Sequence, residues 1–285
     1  MTKKKRKQKT MQLLGIFFVG FSLFLMWGMQ TIEGQKFLGI YAPPGPPPAP
    51  QVDANLTTLK IAAWNLQIFG QDKASNATLM ASYAQIMKDY DIIVVQEIRD
   101  ASGTAFPKLC SLMPGYGCAV SERTGRTSSK EQYGIIYKNA ELLRTTDLHE
   151  LQEEFERPPF LATFKSGNWT FTLATLHSKP DDAGVEIANL EGQMLRVTGD
   201  AIALGDLNAD CSYYDRSKDP TFIGWTWAVP DDADTTVSPG SCAYDRIIYN
   251  SGAGNNYLSY GIDRSSNAWL SDHYLVYGAF RVDRA

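Results

Sequence analysis

The hydrophobic pattern divides the chain into two unlike parts. Residues 11–29 are nineteen consecutive positions without a charged side chain. From residue 59 onward, short apolar runs alternate with polar loops instead. A helix over residues 11–29 would span roughly 28 Å at about 1.5 Å per residue, which is close to the hydrocarbon thickness of a bilayer. The pattern therefore predicts a membrane-inserted segment at 11–29 and a globular domain over residues 58–285.

The apolar runs of the domain are mostly of the β type, with few helices among them. One helical pattern covers Ala74–Tyr90, where Leu79, Tyr83 and Ile86 recur on one face. The predicted strands are Leu59–Trp64, Ile92–Val95, Tyr133–Tyr137, Trp169–Leu176, Ala201–Leu204, Tyr244–Tyr249 and His273–Phe280.

The residues around the apolar segment indicate its orientation. Residues 1–10 carry six basic side chains and no acidic one, so this tail is expected to stay in the cytoplasm while the domain is exported. An uncleaved signal anchor is favoured over a cleaved signal peptide, because the exit sequence Trp27–Gln30 lacks a small-residue cleavage site. A nuclear import signal would also explain the basic run, but the adjacent apolar segment explains it better. Residues 30–57 form a linker, whose proline-rich stretch 42–50 is expected to be a semi-rigid spacer.

The charge of the exported part limits how it can bind a partner. The whole chain has a net charge of −4, but residues 51–285 hold 30 acidic and 20 basic side chains. An acidic domain does not bind a polyanion through a passive basic surface. If the substrate is a polyanion, divalent cations must screen the site.

The four cysteines fit an exported domain. An even count in a translocated chain favours two disulfides. The sequence-local pairs Cys110–Cys118 and Cys211–Cys242 are favoured, although three connectivities are formally open. The chain has no Cys-x-x-Cys motif, which argues against zinc.

Polar residues suited to metal binding or acid–base chemistry recur where predicted strands end. Strands that lie side by side bring their ends to one rim, so we expect these residues to form one site on a rigid scaffold. They are Asn65, Glu97, His177, Asp206, Asn208, Asp245, Asp272 and His273.

Each of these residues also has an ordinary structural interpretation. Glu97 follows a buried-type strand and suits a cation with oxygen ligands, but an acid facing solvent would look the same. Residues 206–208 fit an Asx turn, and Asp245 fits a buried ion pair with Arg246. Two of the three histidines close strands, which favours acid–base chemistry. The third, His149, has no motif around it and is expected at the surface.

Taken together and in this order, the segments resemble the endonuclease/exonuclease/phosphatase superfamily, and within it the deoxyribonuclease I-like enzymes. The resemblance extends from about residue 58 to residue 282. It implies an α+β fold, a four-layered sandwich of two packed, mostly antiparallel β-sheets flanked by helices, which agrees with the number of predicted strands. The matching segments are KIAAWNLQIFG, SNATL, YDIIVVQEIRD, SERTGR, KEQY, ATLHS, GDLNADCSY, PDDADTT, CAYDRI and SDHYLV.

The resemblance implies catalytic roles at individual positions. His177 would pair with Glu131, and His273 would pair with Asp245. Asn208 would donate a hydrogen bond to the scissile phosphate. Two histidine–carboxylate pairs of this kind suit phosphodiester hydrolysis, which needs an activated water and a protonated leaving oxygen.

The same resemblance implies a divalent metal and direct contacts with DNA. Arg99 is expected in the minor groove, whereas Arg126 and Arg157 are expected against the DNA backbone. An active-site Mg²⁺ or Mn²⁺ ion is expected, held by Asn65, Glu97, Asp206 and Asp272.

The chain departs from the family at positions that concern DNA and calcium. Gln67 stands where the family often has an arginine, and Ser129 stands where it has a groove-contacting tyrosine. A structural Ca²⁺ is expected at Asp234 and Thr236, although two threonines further along that loop are replaced. A second calcium loop near residues 153–158 is shortened and is not expected to bind the ion.

These observations favour a monomeric DNA endonuclease with little sequence preference that leaves 5′-phosphate ends. The alternative is a phosphoesterase of the same superfamily that acts on a phospholipid or an inositol phosphate, which a membrane segment would suit. Arg99 and the sequences around Asp245 and His273 favour the nuclease. A non-catalytic binding module is a third hypothesis, and the intact Glu97 and His177 argue against it.

The replacement of arginine by Gln67 leads to a testable expectation. Gln67→Arg should raise the rate of duplex DNA nicking at moderate salt, because it adds a cation two residues beyond Asn65. One added phosphate contact should also steepen the log–log dependence on salt by roughly one unit. The measurement is the initial nicking rate of both proteins against salt concentration. An unchanged rate and slope would mean that residue 67 does not face DNA.

Overall fold

The computed structural model of this protein describes residue 50 and residues 57–282. The predictions for the basic tail at 1–10, for the signal anchor or signal peptide at 11–29 and for most of the linker at 30–57 fall outside these residues. Among the described residues, no helix combines the length and the apolar character needed to cross a bilayer.

Two six-stranded sheets form the centre of the described domain. The strands are β1 Thr58–Phe69, β2 Ile92–Ile98, β3 Gly117–Val120, β4 Gln132–Tyr137, β5 Glu141–Asp147, β6 Phe160–Ser166, β7 Trp169–Thr175, β8 Asp200–Asp206, β9 Thr226–Trp227, β10 Asp245–Tyr249, β11 Tyr257–Asp263 and β12 Leu275–Arg281. The first sheet has the order β11-β12-β1-β2-β4-β3, and the second has the order β5-β6-β7-β8-β10-β9. The predicted α+β sandwich of two mostly antiparallel sheets is confirmed.

Helices cover the outer faces of the two sheets. They are α1 Gln71–Ser75, α2 Ala77–Met87, α3 Ala105–Ser111, α4 Ala183–Met194 and α5 Ser251–Gly254, with 3-10 turns at His149–Leu151 and Pro180–Asp182. The helix predicted over 74–90 is shorter than expected and is interrupted at Asn76. Asn76 has extended backbone, and its side chain accepts hydrogen bonds from the amides of Thr78 and Leu79. Asparagine is a preferred N-cap, so a new helix starts there.

The strands that the apolar pattern did not predict are β3, β5, β6, β9 and β11. Four of these five are the outermost strands of the two sheets. Strands at an edge are exposed on one side and often carry polar residues, and β5 and β11 are largely exposed. The apolar signal along the chain is therefore weak at the sheet edges and strong in the sheet centres.

Three hydrophobic clusters separate the layers. The largest lies between the sheets and includes Leu59, Ile61 and Ala63 of β1. The alternate residues of that strand, among them Ala62 and Trp64, belong to a second cluster beneath α1, α2 and α3. A third cluster joins the second sheet to α4. Because β1 is buried on both faces, its position in the sandwich is strongly determined.

The topology explains where polar strand ends meet. Each sheet has one parallel pair at its centre, β1 with β2 and β7 with β8. The carboxyl ends of each parallel pair lie at one edge of their sheet. In the second sheet, antiparallel pairing brings the first residue of β10, Asp245, beside Asp206 at the end of β8.

Both expected disulfides are present. Cys110 is bonded to Cys118, and Cys211 is bonded to Cys242, so the sequence-local pairing is confirmed. Disulfides persist in oxidising compartments, and the two bridges fit an extracytoplasmic protein.

Gly205 in β8 gives a test of how closely the strand ends approach one another. Its φ is 140°, and an added Cβ would collide with the carbonyl oxygen of Leu176. Gly205→Ala should lower the free energy of unfolding by about 1–3 kcal/mol. In the control Gly192→Ala, the new methyl meets no atom within 4 Å, so this change within α4 should stabilise by about 0.5–1 kcal/mol. Urea unfolding measures both, and equal effects of the two variants would contradict the close approach.

Candidate active site

Irregular backbone at the strand ends directs the polar side chains to one place. The pairing of β1 with β2 shifts register after Asn65, and the pairing of β2 with β4 shifts register before Ile98. Within these irregularities, Gln67, Ile68 and Glu97 have φ values of 47°, 54° and 61°. Bulges and left-handed residues of this kind re-aim side chains and are enriched at functional sites. Their cost, about 1–3 kcal/mol each, must be offset by the rest of the fold.

The first histidine pair joins His177 to Glu131. His177 Nδ1 lies 2.8 Å from Glu131 Oε2, and both residues are buried. Burial alone would raise the pKa of Glu131, but His177 and the neighbouring arginines outweigh burial and hold that pKa below its usual value. Glu131 is therefore a carboxylate that orients the ring and favours its protonated form.

The second pair joins His273 to Asp245. His273 Nδ1 lies 2.8 Å from Asp245 Oδ2, and Asp245 is fully buried. Burial lowers the pKa of the His273 ring, but Asp245 and Asp206 outweigh that effect and raise the pKa to about 10. Each histidine thus presents Nε2 to the site, with its other ring nitrogen occupied by an acid.

Asp206 lies between the two imidazoles. Its Oδ2 is 3.5 Å from Nε2 of His177 and 3.5 Å from Nε2 of His273. Burial would raise the pKa of Asp206, but the two histidines outweigh it and keep the pKa below its usual value. The backbone amide of Asn208 donates to Asp206 Oδ1, and the Asn208 side-chain amide donates to the carbonyl of Ser178.

Both histidine pairs connect one sheet to the other. His177 follows β7 and Asp245 begins β10, both in the second sheet. Of their partners, Glu131 directly precedes β4 and His273 lies two residues before β12, both in the first sheet. The contact between Asn65 Nδ2 and Asp206 Oδ2, at 2.9 Å, also crosses between the sheets. The site therefore depends on how the two sheets pack.

Oxygen atoms dominate one side of this centre, which is where a hard cation would fit. Asn65 Nδ2 bridges Glu97 Oε1 at 3.1 Å and Asp206 Oδ2 at 2.9 Å. A second group of possible ligand atoms lies beside it, consisting of one carboxylate oxygen from each of Asp206 and Asp245 and one ring nitrogen of His273. These three atoms lie within 4.8 Å of one another. The carboxylate oxygens of Glu97 and Asp206, which share the Asn65 Nδ2 donor, suit Mg²⁺ or Mn²⁺.

Two further groups of acidic residues lie near the buried centre. The side chain of Asp272 is half exposed, and its Oδ1 is 3.9 Å from His273 Nε2, so it lies at the rim of the site. The group formed by Asp210, Cys211 and Cys242 is not a metal site, because both cysteines are in a disulfide.

The three arginines expected at DNA differ sharply in exposure. Arg99 is partly exposed and bridges Glu131 at 2.8 Å and Glu97 at 3.3 Å. Arg126 is 38% exposed and lies 3.8 Å from Glu156. Arg157 is buried, and its guanidinium donates to the carbonyls of His177 and Ser178 and contacts Glu131. Arg157 therefore supports the first histidine pair from inside, and its contact with DNA stays a prediction.

The loop expected to bind calcium is rich in oxygen and touches the second histidine. Thr236 Oγ1 lies 3.2 Å from Asp234 Oδ1 and 2.9 Å from the carbonyl of Gly240. Thr236 also forms an isolated β-bridge with His273. Arg264 contacts the Asp234 carboxylate at 3.5 Å. Hard oxygen donors suit Ca²⁺, and occupation of this loop by the ion stays a prediction.

The third histidine, His149, lies at the surface, as expected from the sequence.

Sequence reasoning missed the groups that hold the His273 segment. Lys73 Nζ donates to the carbonyls of Leu66 and Leu270, at 2.8 and 2.9 Å. Trp64 Nε1 donates to the carbonyl of His273, and Ser271 Oγ donates to the carbonyl of Asn65. Lys73 and Leu270 are 197 residues apart, so no local pattern could have signalled the contact.

The chain matches a known protein family over most of its length. The sequence pattern of the Endonuclease/Exonuclease/phosphatase family matches residues 62–273. This range includes His177, His273 and Asp206, together with strands β7 and β8. The chain belongs to the Endonuclease/Exonuclease/phosphatase family.

Within this family, the sequence is similar to the deoxyribonucleases. Deoxyribonuclease-1 of Homo sapiens is 35% identical over 260 residues, which cover 77% of this chain and 91% of that protein. Deoxyribonuclease-1 of Bos taurus is 35% identical over 256 residues, with the same coverage of the two chains. The chain is thus a deoxyribonuclease I-like member of the family.

Solved structures of more distant family members share the fold. The endonuclease/exonuclease/phosphatase from Bacteroides vulgatus has a TM-score of 0.61 at 17% identity, over 80% of this chain and all of that one. A mannosyl-6-phosphatase from Bacteroides thetaiotaomicron has a TM-score of 0.58 at 16% identity, over 79% of this chain and all of that one. At these identities, the likeness shows the fold alone.

The position of Lys73 leads to a second structural test. Lys73→Met should lower the free energy of unfolding by about 1–3 kcal/mol, because it leaves two carbonyls without their charged donor. It should also lower catalytic turnover, because the segment before His273 loses a contact to β1. Lys108→Met, on the exposed side of α3, is the matched control and should change neither quantity. The measurements are urea unfolding and phosphodiester hydrolysis, and a variant as stable and active as its parent would refute the role of Lys73.

Proposed function

We propose that this protein is a metal-dependent endonuclease that hydrolyses DNA phosphodiester bonds outside the cytoplasm. One observation carries the proposal: Nε2 of His177 and Nε2 of His273 converge on a single oxygen of Asp206, each ring backed by its own carboxylate. Similarity to deoxyribonucleases over three quarters of the chain supports DNA as the substrate.

The two pairs suit the proton transfers of hydrolysis. One imidazole takes the proton of the attacking water, and the other donates a proton to the leaving 3′ oxygen, which yields 5′-phosphate ends. Glu131 and Asp245 hold the ring orientations and stabilise the imidazolium forms. The two rings have similar surroundings, so either histidine suits either role. Asn208 would donate a hydrogen bond to the scissile phosphate.

A divalent cation completes this chemistry. We propose Mg²⁺ or Mn²⁺ held by Glu97, Asn65, Asp206 and Asp272. Bound there, the cation would neutralise charge that develops on the phosphoryl oxygens. The oxygen-rich donor set around Glu97 supports this choice of ion. A Ca²⁺ ion at Asp234 and Thr236 would stiffen the loop that pairs with His273.

Contacts with DNA would be few and mostly independent of sequence. Arg99 is partly exposed beside Glu97 and would enter the minor groove, and Arg126 would approach the phosphate backbone, as would Arg157. The acidic balance of the domain supports weak binding that depends on cations. We expect little sequence preference, because none of the three arginines is expected to read base edges in the major groove.

The N-terminal part would determine where the enzyme works. We propose that residues 11–29 anchor the domain in a membrane or direct its secretion, with residues 1–10 in the cytoplasm. The two disulfides support an oxidising compartment. A monomer suffices for catalysis, because one chain supplies both histidine pairs.

Plasmid nicking by the full chain tests the proposal. Supercoiled DNA should be nicked with Mg²⁺ or Mn²⁺, more strongly when Ca²⁺ is added, and not with excess chelator. His177→Ala and His273→Ala should each lower turnover by roughly 10²–10⁴-fold, the range expected for loss of an acid or a base. His149→Ala, at the surface, should leave turnover unchanged.

The competing hypotheses predict other results in the same assay. Activity that survives chelation would contradict the metal site. A variant without His177 or His273 that nicks DNA at the parental rate would contradict the two-histidine assignment. Hydrolysis of an inositol phosphate or phospholipid without DNA cleavage would establish the alternative phosphoesterase.

A further inference from the structure

Ile68 has an unusual combination of backbone strain and exposure. Its φ is 54°, a region that β-branched residues rarely adopt. Its side chain is 57% exposed, so it contributes little to the hydrophobic core. Asparagine or glycine would adopt this conformation with less strain. The local fold thus does not explain why an isoleucine stands at this position.

The backbone of Ile68 is fastened to the active site. Its amide donates to Glu97 Oε2 at 2.7 Å, and the amide of the preceding Gln67 donates to Asn65 Oδ1 at 2.8 Å. The left-handed turn thus presents an alkyl group next to the carboxylate proposed to bind the metal. These amide bonds account for the backbone conformation but place no demand on the side chain.

The chemistry of the expected substrate suggests what this alkyl group meets. A branched alkyl side chain gains nothing from a phosphate and gains by burial against carbon. Beside a scissile phosphate, the accessible carbon surface of DNA is the deoxyribose and the adjoining wall of the minor groove. Proteins that bind the minor groove do place apolar side chains against the carbon surface of DNA, in their case as wedges between base steps.

We propose that Ile68 is a substrate-binding residue that packs against the deoxyribose next to the scissile phosphate. This inference rests on the proposed nuclease function and deepens it. Ile68 contributes to binding of duplex DNA and takes no part in proton transfer. Gln67 and Ile68 together would form the protein's contact with the DNA strand on the β1 side of the site.

Ile68→Thr is the decisive variant, because threonine is also β-branched and keeps the backbone strain. It should raise KM for duplex DNA about fivefold to tenfold, the loss expected when a partly buried ethyl branch is replaced by a hydroxyl. The kcat should stay within about twofold, and the Tm should not change. Hydrolysis of bis(4-nitrophenyl) phosphate, a diester without deoxyribose, should proceed at the parental rate.

Two control variants separate an apolar contact from a general effect. Ile68→Val keeps the branched alkyl character and should keep KM within about twofold. Ile223→Thr makes the same chemical change at a more exposed isoleucine outside the site and should change neither KM nor Tm. A parental KM in Ile68→Thr would overturn the inference, as would equal losses on DNA and on the small diester. If the parent protein hydrolyses the small diester but does not cleave DNA, the proposed nuclease function is itself wrong. The parent protein therefore distinguishes a failure of the proposed function from a failure of the inference about Ile68.

Discussion

The carboxylate of Asp206, buried between two imidazoles, is the interaction on which the rest of the site depends. A buried carboxylate is costly unless charge and hydrogen bonds compensate it. Here the compensation comes from His177 and His273 at 3.5 Å and from the Asn65 side chain at 2.9 Å. Those partners in turn require Glu131 and Asp245 behind the rings. One buried charge therefore sets the positions of residues from both sheets.

The surrounding cations show how the fold tolerates so many acids in one place. Arg157 is buried and contacts Glu131, while Arg99 bridges Glu131 and Glu97 from the solvent side. Lys73 lies near Glu97 and Asp272, and burial lowers its pKa. The protein thus balances the acidic cluster with its own basic groups. A domain that is acidic overall concentrates part of its positive charge at the site.

Much of the fold could be predicted from the sequence because its central strands are buried on both faces. The continuous apolar runs of β1, β2 and β8 stand out for that reason. Edge strands such as β5 and β11 did not, since exposed positions carry polar residues. The polar strand ends, among them Asn65 and Glu97, were visible as interruptions of apolar runs, and the family resemblance added Glu131. Contacts such as Lys73 with Leu270 were not predictable, because they depend on packing between segments far apart in sequence.

Both histidine–carboxylate pairs cross the interface between the sheets, which has a consequence for how the protein loses function. A compact denatured state that keeps its secondary structure while its tertiary packing fluctuates would break both pairs with few backbone hydrogen bonds lost. Shifts of about an ångström between the sheets exceed the tolerance of a catalytic arrangement. Enzymatic inactivation should therefore occur before far-ultraviolet circular dichroism is lost. It should coincide with the loss of the near-ultraviolet signal from the packed aromatic side chains.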